Sequence, residues 1–265
     1  MRRERARTAI VLAVLLCAAL LSASCEAPFS FLVGSASDTW TRSYPLNAGG
    51  DVVVENVDGP IDVQGTDGDK VEVTADRTVR ASTADEARTA LKSLVIREDV
   101  TADRVSLGED NPPGDVRVAI AFHVKVPKTA GVRLTTTNGG LTVIRLAGAA
   151  SLQTTNGRID GRALSGPVRA QTTNGSIAIE FDQIAVSTEP MTLQTGNGSI
   201  SVAVPRTAKV DLSARCGRGS IDVSPQLPIQ MDVQAPRRFE GRVNSGGTRL
   251  LMQTDNGTIH ITPRS

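Results

Sequence analysis

The sequence predicts an all-β fold, a single parallel β-solenoid, whose right-handed, β-helix-like winding is expected by analogy alone. It is built of Asn-Gly-cornered rungs with one short inserted helix. Three observations carry this expectation. Asn-Gly pairs recur at 138/139, 156/157, 174/175, 197/198 and 256/257. Runs of alternating apolar and polar residues flank each pair, and equivalent places in those runs hold the same residue types. The Asn spacings are 18, 18, 23 and 59 residues, with a related Arg218-Gly219 corner inside the longest gap. A fixed period broken by insertions is the signature of a repeat architecture.

The chain opens with Arg2, Arg3, Arg5 and Arg7, an apolar run from Ala9 to Leu21 and the small residues Ser22, Ala23 and Ser24. Residues 1–24 therefore read as a secretory signal peptide, too short in its apolar run for a membrane-spanning helix. The ending LSASC resembles a bacterial lipobox, which makes Cys25 the candidate site of lipidation and the new N-terminus. Ser22 stands where lipoboxes usually carry leucine, so ordinary cleavage near this point is the alternative. Cys17 lies inside the signal and Cys25 takes the lipid, which leaves Cys216 alone and excludes an internal disulfide. A lone cysteine beside a glycine corner reads as a small buried filler.

Removing residues 1–24 takes away four Arg and one Glu and leaves 25 basic and 27 acidic residues, a net charge of about −2. That balance argues against a nucleic-acid partner. Aromatics are only 3% of the sequence, so the core must be aliphatic.

Residues 25–39 read as a lipid-anchored tether and residues 40–265 as the folded domain. DVVVENVDGPIDVQG gives two short strands about a turn at Asp58 and Gly59, and KVEVTADRTV continues the alternation. A helix is expected from Ala84 to Leu94, where Thr83 and Glu86 form a capping box and Ala87, Leu91 and Leu94 share a face. In VRVAIAFHVKV, Val116, Val118, Ile120, Phe122, Val124 and Val126 fall on one side; Arg117, His123 and Lys125 fall on the other.

Aligned on the Asn, the positions two before it are Thr136, Thr154, Thr172, Thr195 and Thr254. Four before it stand Leu134, Leu152, Ala170, Leu193 and Met252. Both columns are expected to point inward, with Thr135, Gln153, Gln171, Gln194 and Gln253 between them pointing outward. After the corner, Leu141, Ile159, Ile177, Ile200 and Ile259 form another inner column, joined by Ile221. Val143, Ile179, Val202, Val223 and Ile261 extend it. An antiparallel meander is the rival, because Asn-Gly is also a hairpin signal. Column identity favours the parallel coil, where each Asn, Thr and Gln sits about 4.8 Å from its equivalent and can hydrogen-bond along the stack. The corner glycines are expected for their tolerance of positive φ.

On VENVDGPIDV, the rungs LTTTNGGLTV, LQTTNGRID, AQTTNGSIAI and LQTGNGSISV, and the closing FEGRVNSGGTRLLMQTDNGTIHI, the chain resembles the bacterial putative-adhesin domains of unknown function. The resemblance covers about Trp40 to Thr262. It implies a β-solenoid tied to the cell envelope and no common biochemical activity. SARCGRGSIDV departs from the Asn-Gly pattern.

Catalytic chemistry finds few positioned groups. His123 and His260 are both flanked by inward apolar residues and so face solvent. No metalloprotease helix, CxxC pair or nucleophile elbow is present. Asp160 and Asp222 hold equivalent outward positions, as the carboxylates of a pectinolytic β-helix would, but Ala178 and Ser201 stand between them. Asp67 and Asp69 fit a turn better than a calcium loop. The chain is therefore expected not to be an enzyme and to need no cofactor or metal.

A partner site is sought where the rungs lengthen, around EFDQIAVSTEP and from Ser224 to Thr248, because insertions leave a coil at its corners. The candidates there are Phe181, Asp182, Arg237, Arg238, Phe239 and Glu240, aromatics with flanking charges that resemble binding anchors. The competing reading is that Phe181 and Phe239 cover the core. The function expected is a non-catalytic cell-envelope lipoprotein, extracytoplasmic and held to the membrane by lipid on Cys25. It would present its repeat surface to an envelope protein or surface polymer. The alternative is an envelope-stress sensing or regulatory module acting through a membrane partner.

Overall fold

The computed structural model describes residues 34–110 and 115–264. The fold is all-β, with two large sheets, parallel strands through the middle of each, and one short helix.

The chain enters as β1 (Gly34–Pro45), so residues 34–39, expected in the tether, are strand, paired antiparallel with β4. A first rung follows, β2 (Asp51–Glu55) and β3 (Ile61–Thr66), then β4 (Lys70–Ala81). Helix α1 (Ala84–Ser93) begins at the expected capping box, with Thr83 accepting from the Glu86 N–H and Glu86 accepting from the Thr83 N–H. It buries Ala87, Ala90 and Leu91 and packs on β1 and β4. The strands β5 (Val95–Val100), β6 (Arg104–Asp110) and β7 (Arg117–Pro127) complete this end. Along β7 the apolar residues Val118, Ile120, Phe122, Val124 and Val126 are buried and Arg117, His123 and Lys125 exposed, as the alternation predicts.

Four rungs then follow in order. They are β8 (Gly131–Asn138) with β9 (Leu141–Ile144), and β10 (Ala150–Asn156) with β11 (Ile159–Leu164). Next come β12 (Val168–Asn174) with β13 (Ile177–Phe181), and β14 (Met191–Asn197) with β15 (Ile200–Val204). Two more are β16 (Val210–Arg218) with β17 (Ile221–Val223), and, after the hairpin β18 (Ile229–Ala235) and β19 (Arg238–Val243), β20 (Thr248–Asn256) with β21 (Ile259–Pro263).

One sheet runs β1-β4-β7-β3-β9-β11-β13-β15-β21-β17, and the other β18-β19-β16-β20-β14-β12-β10-β8-β2-β6-β5. The rungs pair in parallel and in register, Asn138 beside Asn156, Asn156 beside Asn174, Asn174 beside Asn197 and Asn197 beside Asn256. A meander would make antiparallel pairs here, so that rival is excluded for these rungs. The order in space departs from the order in sequence at both ends. β6 and β7 lie outside the earlier rung β2–β3, and the late rung β20–β21 lies between β14–β15 and the earlier β16–β17. Antiparallel strands cover the ends: β4 against β7 and β1, β5 against β6, and β19 against β16 and β18.

The predicted inner columns are the core. Leu134, Leu152, Ala170, Leu193 and Met252 are buried on one sheet, and Leu141, Ile159, Ile177, Ile200 and Ile259 on the other. Ile221 and Val223 are only half-buried because β17 ends its sheet. The Thr column is buried as expected, but its hydroxyls do not bond one another. Each donates to a corner carbonyl of the neighbouring rung: Thr154 to Gly139, Thr172 to Gly157, Thr195 to Gly175 and Thr254 to Gly198, at 2.8–3.1 Å. A hydroxyl can reach past its own column where a buried carbonyl needs a donor, and each such bond contributes about 1 kcal/mol.

The ladder along the stack is made by the exposed Asn column. Asn156 Nδ2 donates to Asn138 Oδ1, Asn174 to Asn156, Asn197 to Asn174 and Asn256 to Asn197, at 2.8–2.9 Å.

The corner glycines have a second cause besides the positive φ expected. Gly139, Gly157 and Gly175 do not lie in the left-handed region. A Cβ on Gly157 would instead fall 1.9 Å from the carbonyl oxygen of Gly139, one rung away. The backbone is held that close because Gly139 N–H donates to Asn156 O and Leu141 N–H to Arg158 O, which carries the parallel ladder through the corner. Closeness alone requires glycine at these three corners, whereas Gly198, Gly219 and Gly257, with φ of 155°, 135° and 158°, meet both demands.

Candidate functional site

Of the expected site residues, Cys25 lies outside the described residues, as does the signal peptide 1–24. The rings of Phe181 and Phe239 are both core residues, 0% and 2% exposed. They therefore follow the competing reading, because each sits at an inward position of its strand. Phe181 continues the parity of Ile177 and Ile179, and Phe239 pairs with Ala214 of β16. Their charged neighbours point outward. Asp182 is in ion-pair contact with Arg264, and Arg238 donates to Glu240 at 2.8 Å. Arg237 is exposed. The two corners do not form one site: Phe181 belongs to the sheet that ends in β17, and Phe239 to the one that ends in β18. Cys216 is free and buried, as a filler would be.

The outer face of the first sheet carries the column Asp62, Thr142, Asp160, Ala178, Ser201, His260 and Asp222. Asp160 and Asp222 stand four strand steps apart, about 19 Å, well beyond the separation of a glycosidase carboxylate pair. Asp160 is also held between Arg158 and Arg162 at 3.2 and 2.8 Å. The intercalation of β21 brings His260 against Asp222, with Nδ1 to Oδ2 at 3.3 Å, and puts Ser201 on its other side. This row is not built as a nucleophile and base. Asp222 is 60% exposed, no hydrogen bond joins Ser201 to His260, and the surrounding mid-sheet N–H groups are spent in the ladder. Among the described residues no group of three His, Cys, Asp or Glu is placed to hold a metal.

The outer face of the second sheet is organised differently. Five residues before the Asn, Arg133, Ser151 and Arg169 are register neighbours on three successive rungs. Three before it stand Thr135, Gln153, Gln171, Gln194 and Gln253, all but the half-buried Thr135 exposed, in a row parallel to the stack. Seven before it the row has almost no side chain, with Gly131, Ala149 and Pro167 in turn. Arg104 lies two strands beyond Gly131, with Asp51 between them. The result is a trough of about 560 Å3 lined by Arg104, Arg133 and Arg169 above a floor of Gly131, Ala149 and Pro167. Glu189 enters from the loop between β13 and β14 and accepts from Arg169 at 2.6 Å. Arg104 and Arg133 make no ion pair among the described residues. Arg133 and Arg169 were legible as a column five before the Asn. Arg104 was not, since its rung lies outside the repeat.

Residues 51–262 match the family described as Toastrack DUF4097. The chain belongs to that family. Its Toastrack region thus covers every parallel rung but leaves out β1, which the structure adds as an edge strand. No curated protein matches the chain. Among solved structures, similarity is found to a putative cell adhesion protein from Clostridium sporogenes, at 11% identity and TM-score 0.47. That alignment covers 86% of this chain and 100% of the other. A putative adhesin from Bacteroides fragilis aligns at 15% identity and TM-score 0.37, over 84% and 97% of the two chains. Among the described residues of this Toastrack protein, no helix is long and apolar enough to cross a membrane.

Proposed function

We propose that this protein is a non-catalytic cell-envelope lipoprotein, held to the membrane by lipid on Cys25, whose β-solenoid presents a repeat surface for adhesion or assembly. The observation that carries the proposal is the regular second-sheet face, on which the Gln row repeats with the rungs beside a single arginine-lined trough. A surface periodic at about 4.8 Å suits a partner that is itself extended or repetitive. The LSASC sequence supports the anchor, and strand β1 begins only nine residues after Cys25, so the face is held near the membrane. Two acyl chains give stable attachment where one gives marginal binding.

The test has two arms. Cys25→Ala is expected to move the protein from membrane to soluble fractions with loss of lipid label; unchanged retention refutes the anchor. Crosslinking on intact cells is expected to recover a surface polymer or an assembly partner. Recovery of a single membrane signalling protein in its place refutes the presentation role.

A further inference from the structure

We propose that the second-sheet trough binds an anionic polymer, a chain repeating carboxylate or phosphate groups, laid along the stack axis. This rests on the surface-presentation reading above and names its ligand class.

Arg104, Arg133 and Arg249 are exposed on this face and have no carboxylate within ion-pair distance among the described residues. Some surface arginines are matched, Arg97 to Asp110, Arg162 to Asp160 and Arg242 to Asp232, all at 2.8–2.9 Å, while others such as Arg117, Arg145 and Arg206 are exposed singly; what sets this face apart is that Arg104 and Arg133 line one trough. The open guanidinium forks of Arg104 and Arg133, both lining the trough, favour an anion that they can grip in bidentate fashion.

The row of Gly131, Ala149, Pro167 and Pro190 lowers the floor over four successive strands; beyond it lie Arg104 on one side, past Asp51, and on the other Arg249, which lines an adjoining hollow with Asp211, Asp232 and Glu240. Six strand steps separate these two arginines, about 29 Å, which is the reach of a polymer segment and not of a single small anion. Gln153, Gln171 and Gln194 run alongside, and each offers both a donor and an acceptor for hydroxyl or ether groups of the chain. A neutral sugar would call for stacked aromatics, and among the described residues none stands on this face. Asp51 and Glu189 also line the trough, and Glu189 occupies only Arg169.

Detergent-solubilised full-length protein would be titrated onto immobilised polygalacturonate, poly(glycerol phosphate) and neutral dextran at low and at raised salt. The expected result is binding to one or both anionic polymers that weakens with salt, and none to dextran. Combined Arg104→Gln, Arg133→Gln and Arg249→Gln is expected to lower affinity by roughly tenfold or more, since hydrogen bonds to charged groups are worth the most. Ala149→Glu, which places a like charge on the floor, should do the same. Arg158→Gln on the other sheet should bind as wild type. All of these are exposed positions, so the melting temperature should not move. Full affinity in the triple variant, equal binding of dextran, or no anionic binding at low salt overturns the proposal. If cells still attach through the anchored protein when the triple variant replaces it, the trough is excluded while the presentation role stands.

Discussion

Asn138 Nδ2 donates to Asp58 Oδ1 at 2.7 Å, so the amide ladder ends on a carboxylate. Every Asn in the column donates in the same direction, toward Asp58, and at the far end Asn256 has Arg218 as its register partner. The aligned amides behave as a small dipole whose positive edge meets an anion, with a cation beside the other edge.

Asn174→Ala removes two rungs of that ladder at once and is expected to lower unfolding stability by about 1–2 kcal/mol, the usual worth of such bonds near a surface. Asp58→Ala should cost a similar amount through one charge-assisted bond. Denaturant midpoints at unchanged m-value check both.

Gly157→Ala should be far more damaging. Its Cβ would meet backbone, the Gly139 oxygen at 1.9 Å and carbon at 2.5 Å, and the rungs cannot separate without breaking the corner hydrogen bonds. A loss of at least about 3 kcal/mol, or failure to fold, is expected. Gly68→Ala, where the nearest atom is a side-chain oxygen at 3.5 Å, should be close to neutral in the same thermal melts.

Thr154 separates shape from hydrogen bonding. Thr154→Val keeps the volume but removes the donor to Gly139 O at 3.0 Å, for about 1 kcal/mol. Thr154→Asp puts a carboxylate into a column that is 3% exposed and should cost about 2–4 kcal/mol. A melt equal to wild type for the Asp variant would mean that the column is not sealed.

Glu109 on β6 is half-buried, and burial pushes its carboxyl up to about 7; a Val57 backbone hydrogen bond opposes the rise and Asp58 adds to it. A carboxyl raised in the fold holds its proton longer than in the unfolded chain. Its contribution is therefore fully present below the unfolded value near 4.5 and is lost as pH climbs through 7. Glu109→Gln should be more stable than wild type at pH about 8, and the difference should vanish toward pH about 5, in paired melts across that range.

The columns were legible because in-register parallel stacking writes the same residue at the same place in each rung, so Thr154 and Ile159 announce their neighbours. Asn-Gly marked the corners, where close contact with the neighbouring rung requires glycine at Gly139, Gly157 and Gly175 and positive φ adds to it at Gly198 and Gly257. The order of the last two rungs was not legible. β16 and β20 carry similar inner columns, and only the antiparallel hairpin β18–β19 turns the chain back to seat β20 beside β14. Phe181 and Phe239 read as anchors because charges flank them, yet strand parity sends the ring and the charges to opposite faces. The Arg104 to Arg133 juxtaposition joins strands that are neighbours of a common strand and distant in sequence.

The seating of β20–β21 between β14–β15 and β16–β17 also orders assembly in time. A chain delivered N-terminus first can add rungs as far as β15 one upon another, each onto an edge already waiting. β16 then arrives before the strand it pairs with in parallel exists, and its place beside β14 belongs to a segment not yet delivered. The late rung is the keystone. Until it slides in, the growing stack ends on the open edges of β14 and β15, which makes that interval the one in which the protein is most exposed to proteases and to its own copies.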